Sequence, residues 1–262
     1  MPKTRCRDID VAWYEVGRGA PVVLVHGLAD DHRAWRRVLP ALSLRHRVIL
    51  YDLRGHGQTT AGDPDGTLEQ LGADLVALMD AVELERASLI GFSLGGTIVM
   101  RTAIDQPARI DQLIPVATSS RVGRSAAEWY SERAEMVRTN SPALRSTLEQ
   151  DTREIYFNQP EEFDAGWLIR NQSTADPIGY GNACAAMAAL HQRPLDPDLG
   201  RIQAPTLVIA GDRDQHCPPR AAEIIQAGVP GSRLEVISEV GHPIPVEKPV
   251  EVSSLILDFL AL

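Results

Sequence analysis

Short, nearly continuous apolar runs recur along the chain and alternate with stretches whose apolar residues fall at helical spacing. PVVLV (21–25), RVILY (47–51), ASLIG (87–91), DQLIPVA (111–117), PTLVIAG (205–211) and SRLEVIS (232–238) have the length and texture of strands buried on both faces. DVAWYEVG (10–17) alternates instead, as an edge strand does. Between these runs, TLEQLGADLVALMDAVEL (67–84) keeps an apolar stripe of helical period, and EKPVEVSSLILDFLAL (247–262) does the same. Strands and helices in alternation predict an α/β fold: a mostly parallel central sheet with helices on both faces.

The pattern changes between residues 122 and 197, where strand-like runs vanish and four helical ones follow one another, punctuated by Pro142, Pro160 and Pro177. The chain therefore divides into a first core segment (1–121), an inserted helical unit (122–197) and a second core segment (198–262). The insert holds Trp129, Tyr130, Tyr156, Phe157, Trp167 and Tyr180, six of the thirteen aromatics. Trp129, Tyr130, Trp167 and Tyr180 are the candidates to line a pocket facing the sheet; the competing reading makes them the insert's own small core. The insert also carries Arg124, Arg133, Arg138, Arg145, Arg153 and Arg170. At least one of these is expected to reach the pocket, where it would suit a substrate carboxylate.

Composition narrows the partners. With 26 Lys and Arg against 35 Asp and Glu the net charge is −9, and no basic run opposes it, so nucleic acid is not expected. No segment has the apolar length to span a bilayer and MPKTRCRDID has no apolar core of a signal peptide, which predicts a cytoplasmic chain without a membrane partner. Cys6, Cys184 and Cys217 are odd in number and scattered, as thiols in a reducing compartment are.

One motif carries chemistry. In GFSLGG, Ser93 follows the strand ASLIG and precedes the helical run LGGTIVMRTAIDQ, with Gly91 and Gly95 flanking it. This strand, sharp turn and helix is the context of a nucleophile elbow, which lifts a serine hydroxyl to the edge of a sheet. Phosphate-binding loops fit worse, since GFSLGG lacks both G-x-G-x-x-G spacing and a Walker lysine, and no cofactor is expected. A serine needs a base held by an acid, met in this fold in the order Ser, acid, His. His242, in the loop after the last strand, is the candidate base. His216 also follows Ser93 but lies inside the acid loop, and the other five histidines, His56 among them, read as turn or surface residues. The acid is Asp212 or Asp214 in DRDQHCPP (212–219). A metal site built from Asp212, Asp214, His216 and Cys217 lacks familiar ligand spacing, so no metal is expected. For the developing oxyanion the candidate donors are the backbone N–H groups of Leu94 and of Leu28, the latter after a turn made by His26 and Gly27.

Together HGLADDHRAW, YDLRGHGQT, GFSLGG, GDRDQHCPP and VGHPIPVEKP resemble the α/β-hydrolase superfamily over essentially the whole chain. The resemblance implies that fold, makes the insert a cap domain, and gives the acid role to Asp214, fourth in the GxxD pattern beginning at Gly211. Ser rather than Asp at the elbow sets aside the dehalogenase and epoxide hydrolase branches. The stretch DPIGYGNACAAMAALHQRPLDPDLGRIQAPTLVIAGDRDQHCPP is similar to the 3-oxoadipate enol-lactonase group. That group commonly has Asn-Ser where this chain has His26 and Gly27, so its substrate contacts are not carried over. The implied activity is hydrolysis of a small carboxylic ester or lactone. Carbon–carbon bond hydrolases, cofactor-free perhydrolases and small-molecule receptors of the same fold are the alternatives.

Overall fold

In the computed structural model, which describes residues 2–262, the apolar runs become one eight-stranded sheet. Its strands are β1 (Lys3–Cys6), β2 (Ile9–Val16), β3 (Ala20–Val25), β4 (His46–Tyr51), β5 (Ala87–Phe92), β6 (Ile110–Val116), β7 (Leu207–Gly211) and β8 (Arg233–Ile237). They lie in the order β1-β2-β4-β3-β5-β6-β7-β8. Only the β1–β2 and β2–β4 pairs are antiparallel. One expectation is corrected here: β2 is an inner strand, because β1 pairs along its other side from Lys3–Ala12 to Cys6–Ile9. Three of the four residues of β1 are polar, so it leaves no apolar run in the sequence.

The helices are α1 (Leu39–Leu42), α2 (Leu68–Ala81), α3 (Leu94–Asp105), α4 (Arg124–Arg138), α5 (Leu144–Ile155), α6 (Phe163–Ser173), α7 (Ile178–Ala189), α8 (Pro219–Gly228), α9 (Ile244–Glu247) and α10 (Pro249–Leu260). Val23 and Val25 of β3 pack with Leu71, Leu75, Ile98 and Ile225 on one face of the sheet. Val22 and Leu24 pack with Trp35, Leu42, Ile256 and Phe259 on the other. Since both faces are covered, successive side chains of β3 and β7 are all apolar, which is why these two strands read as unbroken runs. The four helices α4 to α7 all fall between β6 and β7, and α7 joins the sheet's core through Ala183, Ala186 and Met187. Cys6, Cys184 and Cys217 are buried and unpaired. No helix among the described residues is long and apolar enough to cross a membrane.

A buried ion pair ties the loop after β4 to α2. Arg54 is fully buried and places its guanidinium against both oxygens of Asp74 at 2.7 and 2.8 Å. It also bonds Asp8 at 2.6 and 2.8 Å and the Ala61 carbonyl at 2.8 Å. Arg54→Met would leave the buried Asp74 with only the half-exposed Arg7 as a partner. It is expected to cost about 3–5 kcal/mol, read as a lowered urea midpoint at unchanged slope. A midpoint equal to that of the unsubstituted protein would contradict this account of the pair.

Candidate active site

Ser93 occupies the turn between β5 and α3 at φ 53° and ψ −119°, a left-handed conformation that costs an L-residue free energy. Its surroundings hold it there. The Ser93 N–H donates to the Val116 carbonyl at 2.9 Å, and the Ser93 carbonyl accepts from Gly96 N–H at 2.8 Å and the Thr118 hydroxyl at 2.6 Å. A Cβ on Gly91 would sit 2.2 Å from the Gly95 carbonyl oxygen, and one on Gly95 would sit 2.2 Å from that of Val25. The flanking glycines are thus required by close backbone approach, as the motif led us to expect.

Three loops bring the candidate residues together. His242 places Nε2 3.0 Å from Ser93 Oγ and Nδ1 2.8 Å from Asp214 Oδ2. The other Asp214 oxygen accepts the backbone N–H groups of His216 and Cys217, both at 2.8 Å. Burial would raise the Asp214 carboxyl, but the His242 imidazole and these backbone donors outweigh it and hold it below the ordinary carboxylate value. A carboxylate can only accept, so Nδ1 carries the imidazole proton and Nε2 turns its lone pair to the serine hydroxyl. Asp212 lies elsewhere: its carboxylate accepts Val240 N–H at 3.2 Å and pins the acid loop to the histidine loop.

Leu28 and Leu94 each present a backbone N–H with no protein acceptor among the described residues. Leu94 is the first residue of α3, where helical donors are unpaired. The Leu28 N–H belongs to a peptide whose other end, the Gly27 carbonyl, accepts from His26 Nδ1 at 2.8 Å and from Asp30 N–H at 3.3 Å. His26 Nε2 in turn takes the Leu53 N–H at 2.9 Å. Because Leu53 N–H must donate, Nε2 must be the bare nitrogen, and the His26 proton falls on Nδ1, facing Gly27. Fixing that carbonyl fixes the direction of the Leu28 N–H across the trans peptide. The left-handed residue of this turn is Ala29 (φ 63°), while a Cβ on Gly27 would sit 3.1 Å from the Phe92 ring and 3.3 Å from Ser93 Cβ.

Above Ser93 opens a cavity of about 370 Å³ lined by Leu28, Phe92, Trp129, Tyr130, Tyr156, Ile169 and His242 among others. Trp129 and Tyr130 therefore stand where the sequence pointed. Trp167 and Tyr180 do not line this cavity, which corrects the expectation for both. Tyr180 is buried with Ala29, Leu148 and Cys184, and Trp167 packs on the same cluster with the Arg145 guanidinium 5.2 Å from its ring centre. Helical spacing places these residues in the insert but does not say which face meets the sheet. Of the insert's seven arginines only Arg170 lines the cavity. Arg133 is bound by Asp151, Arg138 by Glu135 and Arg153 by Glu149.

His26, His46 and His56 are buried rather than superficial. Burial, reinforced by the neighbouring His26, holds His56 down at about 3, and burial beside His242 holds His216 at about 4, against an ordinary 6.5. The unfolded chain binds these two protons below 6.5, whereas the folded chain refuses them until about 4 and about 3. Stability is therefore expected to fall as pH drops through this window, by about 1.4 kcal/mol per pH unit for each histidine. Urea midpoints measured from neutral pH down to pH ~5 check this, and a constant midpoint would contradict it.

Among the described residues one trio, Asp31, His32 and Asp52, brings metal-ligand atoms within 4.8 Å of one another. It is already satisfied internally: Arg33 grips both Asp31 oxygens, and Asp52 accepts from His32 Nδ1 at 2.7 Å and from the N–H groups of His32 and Gln58. This is the donor set of a structural network rather than an open cation cage.

Comparison with known proteins agrees with this architecture. Residues 20–249 match the family model for the alpha/beta hydrolase fold. A 3-oxoadipate enol-lactonase of Acinetobacter baylyi is 31% identical, the match covering 87% of this chain and 84% of that protein. A 2-hydroxy-6-oxo-2,4-heptadienoate hydrolase of Pseudomonas putida is 30% identical over 97% of this chain and 93% of its own length. The crystal structure of the enol-lactonase from Burkholderia xenovorans superposes with a TM-score of 0.90 at 25% identity, covering 100% of both chains. The sheet order, the elbow after β5 and these end-to-end matches lead to one conclusion: the chain belongs to the α/β-hydrolase family.

Proposed function

We propose that the protein is a serine hydrolase that cleaves a small carboxylic ester or lactone through an acyl-enzyme. The observation that carries this reading is the unbroken contact from Asp214 through His242 to Ser93 Oγ at the floor of the cavity. In the proposed mechanism, His242 Nε2 takes the Ser93 proton as Oγ forms a bond to the substrate carbonyl carbon. The carbonyl oxygen gains the negative charge, which the Leu28 and Leu94 N–H groups stabilise by donating hydrogen bonds. Collapse expels the alkoxide, which takes the proton from His242. Water, deprotonated by the same nitrogen, then releases the acid and restores Ser93. Asp214 keeps the imidazole in the productive tautomer and offsets its transient positive charge.

Carbon–carbon cleavage of ring-cleavage products is the second reading, favoured by the likeness to the Pseudomonas putida hydrolase. A panel of p-nitrophenyl esters and lactones, assayed beside dienoic ring-cleavage products, separates the two. Turnover of esters or lactones with the higher kcat/KM is the expected outcome; turnover confined to the dienoates would transfer the assignment to carbon–carbon cleavage.

A further inference from the structure

Beside Leu28 the cavity has a polar wall that the proposed chemistry does not use. Asp30 is nearly buried, and among the described residues its carboxylate has one close partner, Arg170, with Nη1 3.7 Å from Oδ1. Arg170 is itself anchored: Nε donates to the Thr152 hydroxyl at 2.9 Å and Nη1 to the Leu28 carbonyl at 2.8 Å. Its Nη2 has no acceptor among the described residues. The third member is Tyr156, which lines the same cavity and whose hydroxyl is pushed up to about 12 by burial and then by the Asp30 charge, so that it stays a donor. Arg170, Tyr156 and Asp30 thus line one cavity, with Arg170 Nη2 and the second Asp30 oxygen unpaired among the described residues.

Resting on the hydrolase reading above, the geometry points to a neutral substrate head that both donates and accepts, such as a carboxamide, recognised by Asp30 together with Arg170 and Tyr156. An amide N–H would meet the Asp30 carboxylate while its carbonyl accepts from Arg170 Nη2 or the Tyr156 hydroxyl, satisfying all three groups. Burial raises the Asp30 carboxyl above its ordinary value while Arg170 pulls it down; with Asp30 ionised, a substrate carboxylate offers it no donor and brings a like charge against it. The cavity as a whole gives it no compensation, because Asp30, Asp151 and Glu154 line it against Arg36 and Arg170. Asp151 is already held by Arg133, and Arg36 faces Glu162. The simple expectation that an insert arginine would seize a substrate carboxylate is thereby replaced: the arginine is present, but it shares its wall with an acid.

Three ethyl esters of similar length test this by proton release at pH ~8, where carboxylates are charged: ethyl adipamate, monoethyl adipate and ethyl hexanoate. For the unsubstituted protein, kcat/KM for the neutral adipamate is expected to exceed that for the anionic adipate by at least about tenfold. Asp30→Asn, which keeps the shape and removes the charge, is expected to shrink that ratio to about threefold or less. Equal rates for the two polar esters, preference for the adipate, or a ratio untouched by Asp30→Asn would overturn the inference. Should Asp30→Asn fail to fold, the ratio in the unsubstituted protein decides alone. Ethyl hexanoate reports hydrolysis itself, so the two readings fail separately. If no ester is cleaved, the hydrolase reading falls, and a thermal shift with hexanamide against hexanoate decides the pocket: a larger rise with hexanamide supports the inference, and any other order overturns it.

Discussion

Replacing Ser93 with alanine is expected to lower kcat for ester or lactone hydrolysis by about a millionfold while leaving the fold intact. The hydroxyl has one polar contact in the site, His242 Nε2 at 3.0 Å, so its loss removes the nucleophile without stranding a structural group. The turn is held by backbone bonds to Val116, Gly96 and Thr118, none of which uses Ser93 Oγ. A residual rate of about a thousandfold or more over water should survive, because the cavity and the Leu28 and Leu94 donors still bind and polarise the carbonyl. Measured kcat and Tm check both halves: a variant that keeps its activity contradicts the proposed nucleophile, and one that unfolds contradicts the description of the turn.

Asp214→Asn is expected to lower kcat by about ten-thousandfold, through the tautomer of His242 rather than through stability. The carboxylate uses one oxygen for two backbone donors, His216 N–H and Cys217 N–H, and the other for His242 Nδ1. An asparagine must give its single oxygen to the two N–H groups, which turns its NH₂ toward Nδ1. The imidazole proton is then driven to Nε2, where it faces Ser93 and blocks proton transfer. Asp212→Asn, by contrast, touches a carboxylate that meets the backbone donors of Glu239 and Val240 and not His242, and is expected to change kcat by less than about tenfold, with its effect appearing in Tm. A collapse of kcat confined to Asp212→Asn would reverse the assignment of the acid.

The distribution of legible and illegible features has physical causes. β3, β5 and β7 are covered on both faces, so all their residues but Ser88 are apolar and each stands out in the sequence. β1 is four residues long and largely polar, held by its ladder to β2, and such pairing leaves no trace in composition. Ser93 was legible because the elbow needs glycines where backbones touch, and His242 because only the last loop reaches over the elbow. Asp214 and Asp212 differ in direction rather than kind, and only the resemblance separated them before the side chains were in place. In the insert, the 3.6-residue period groups Trp129, Tyr130, Trp167 and Tyr180 as amphipathic helix residues, but the packing of α4, α6 and α7 decides that the first pair lines the cavity above Ser93 and the second pair does not. Asp30 and Arg170 lie 140 positions apart in the chain and belong to different units, so their shared wall could emerge only from the fold.

The central claim, that Ser93 is a nucleophile activated by His242, is tested most directly by a fluorophosphonate that reacts only with activated serines. The intact protein is incubated with the probe, its mass is measured, and the modified residue is located by peptide sequencing. The account predicts a single adduct on Ser93, absent after prior unfolding and strongly slowed by Asp214→Asn. An unmodified protein, or an adduct carried by any other residue, would contradict it.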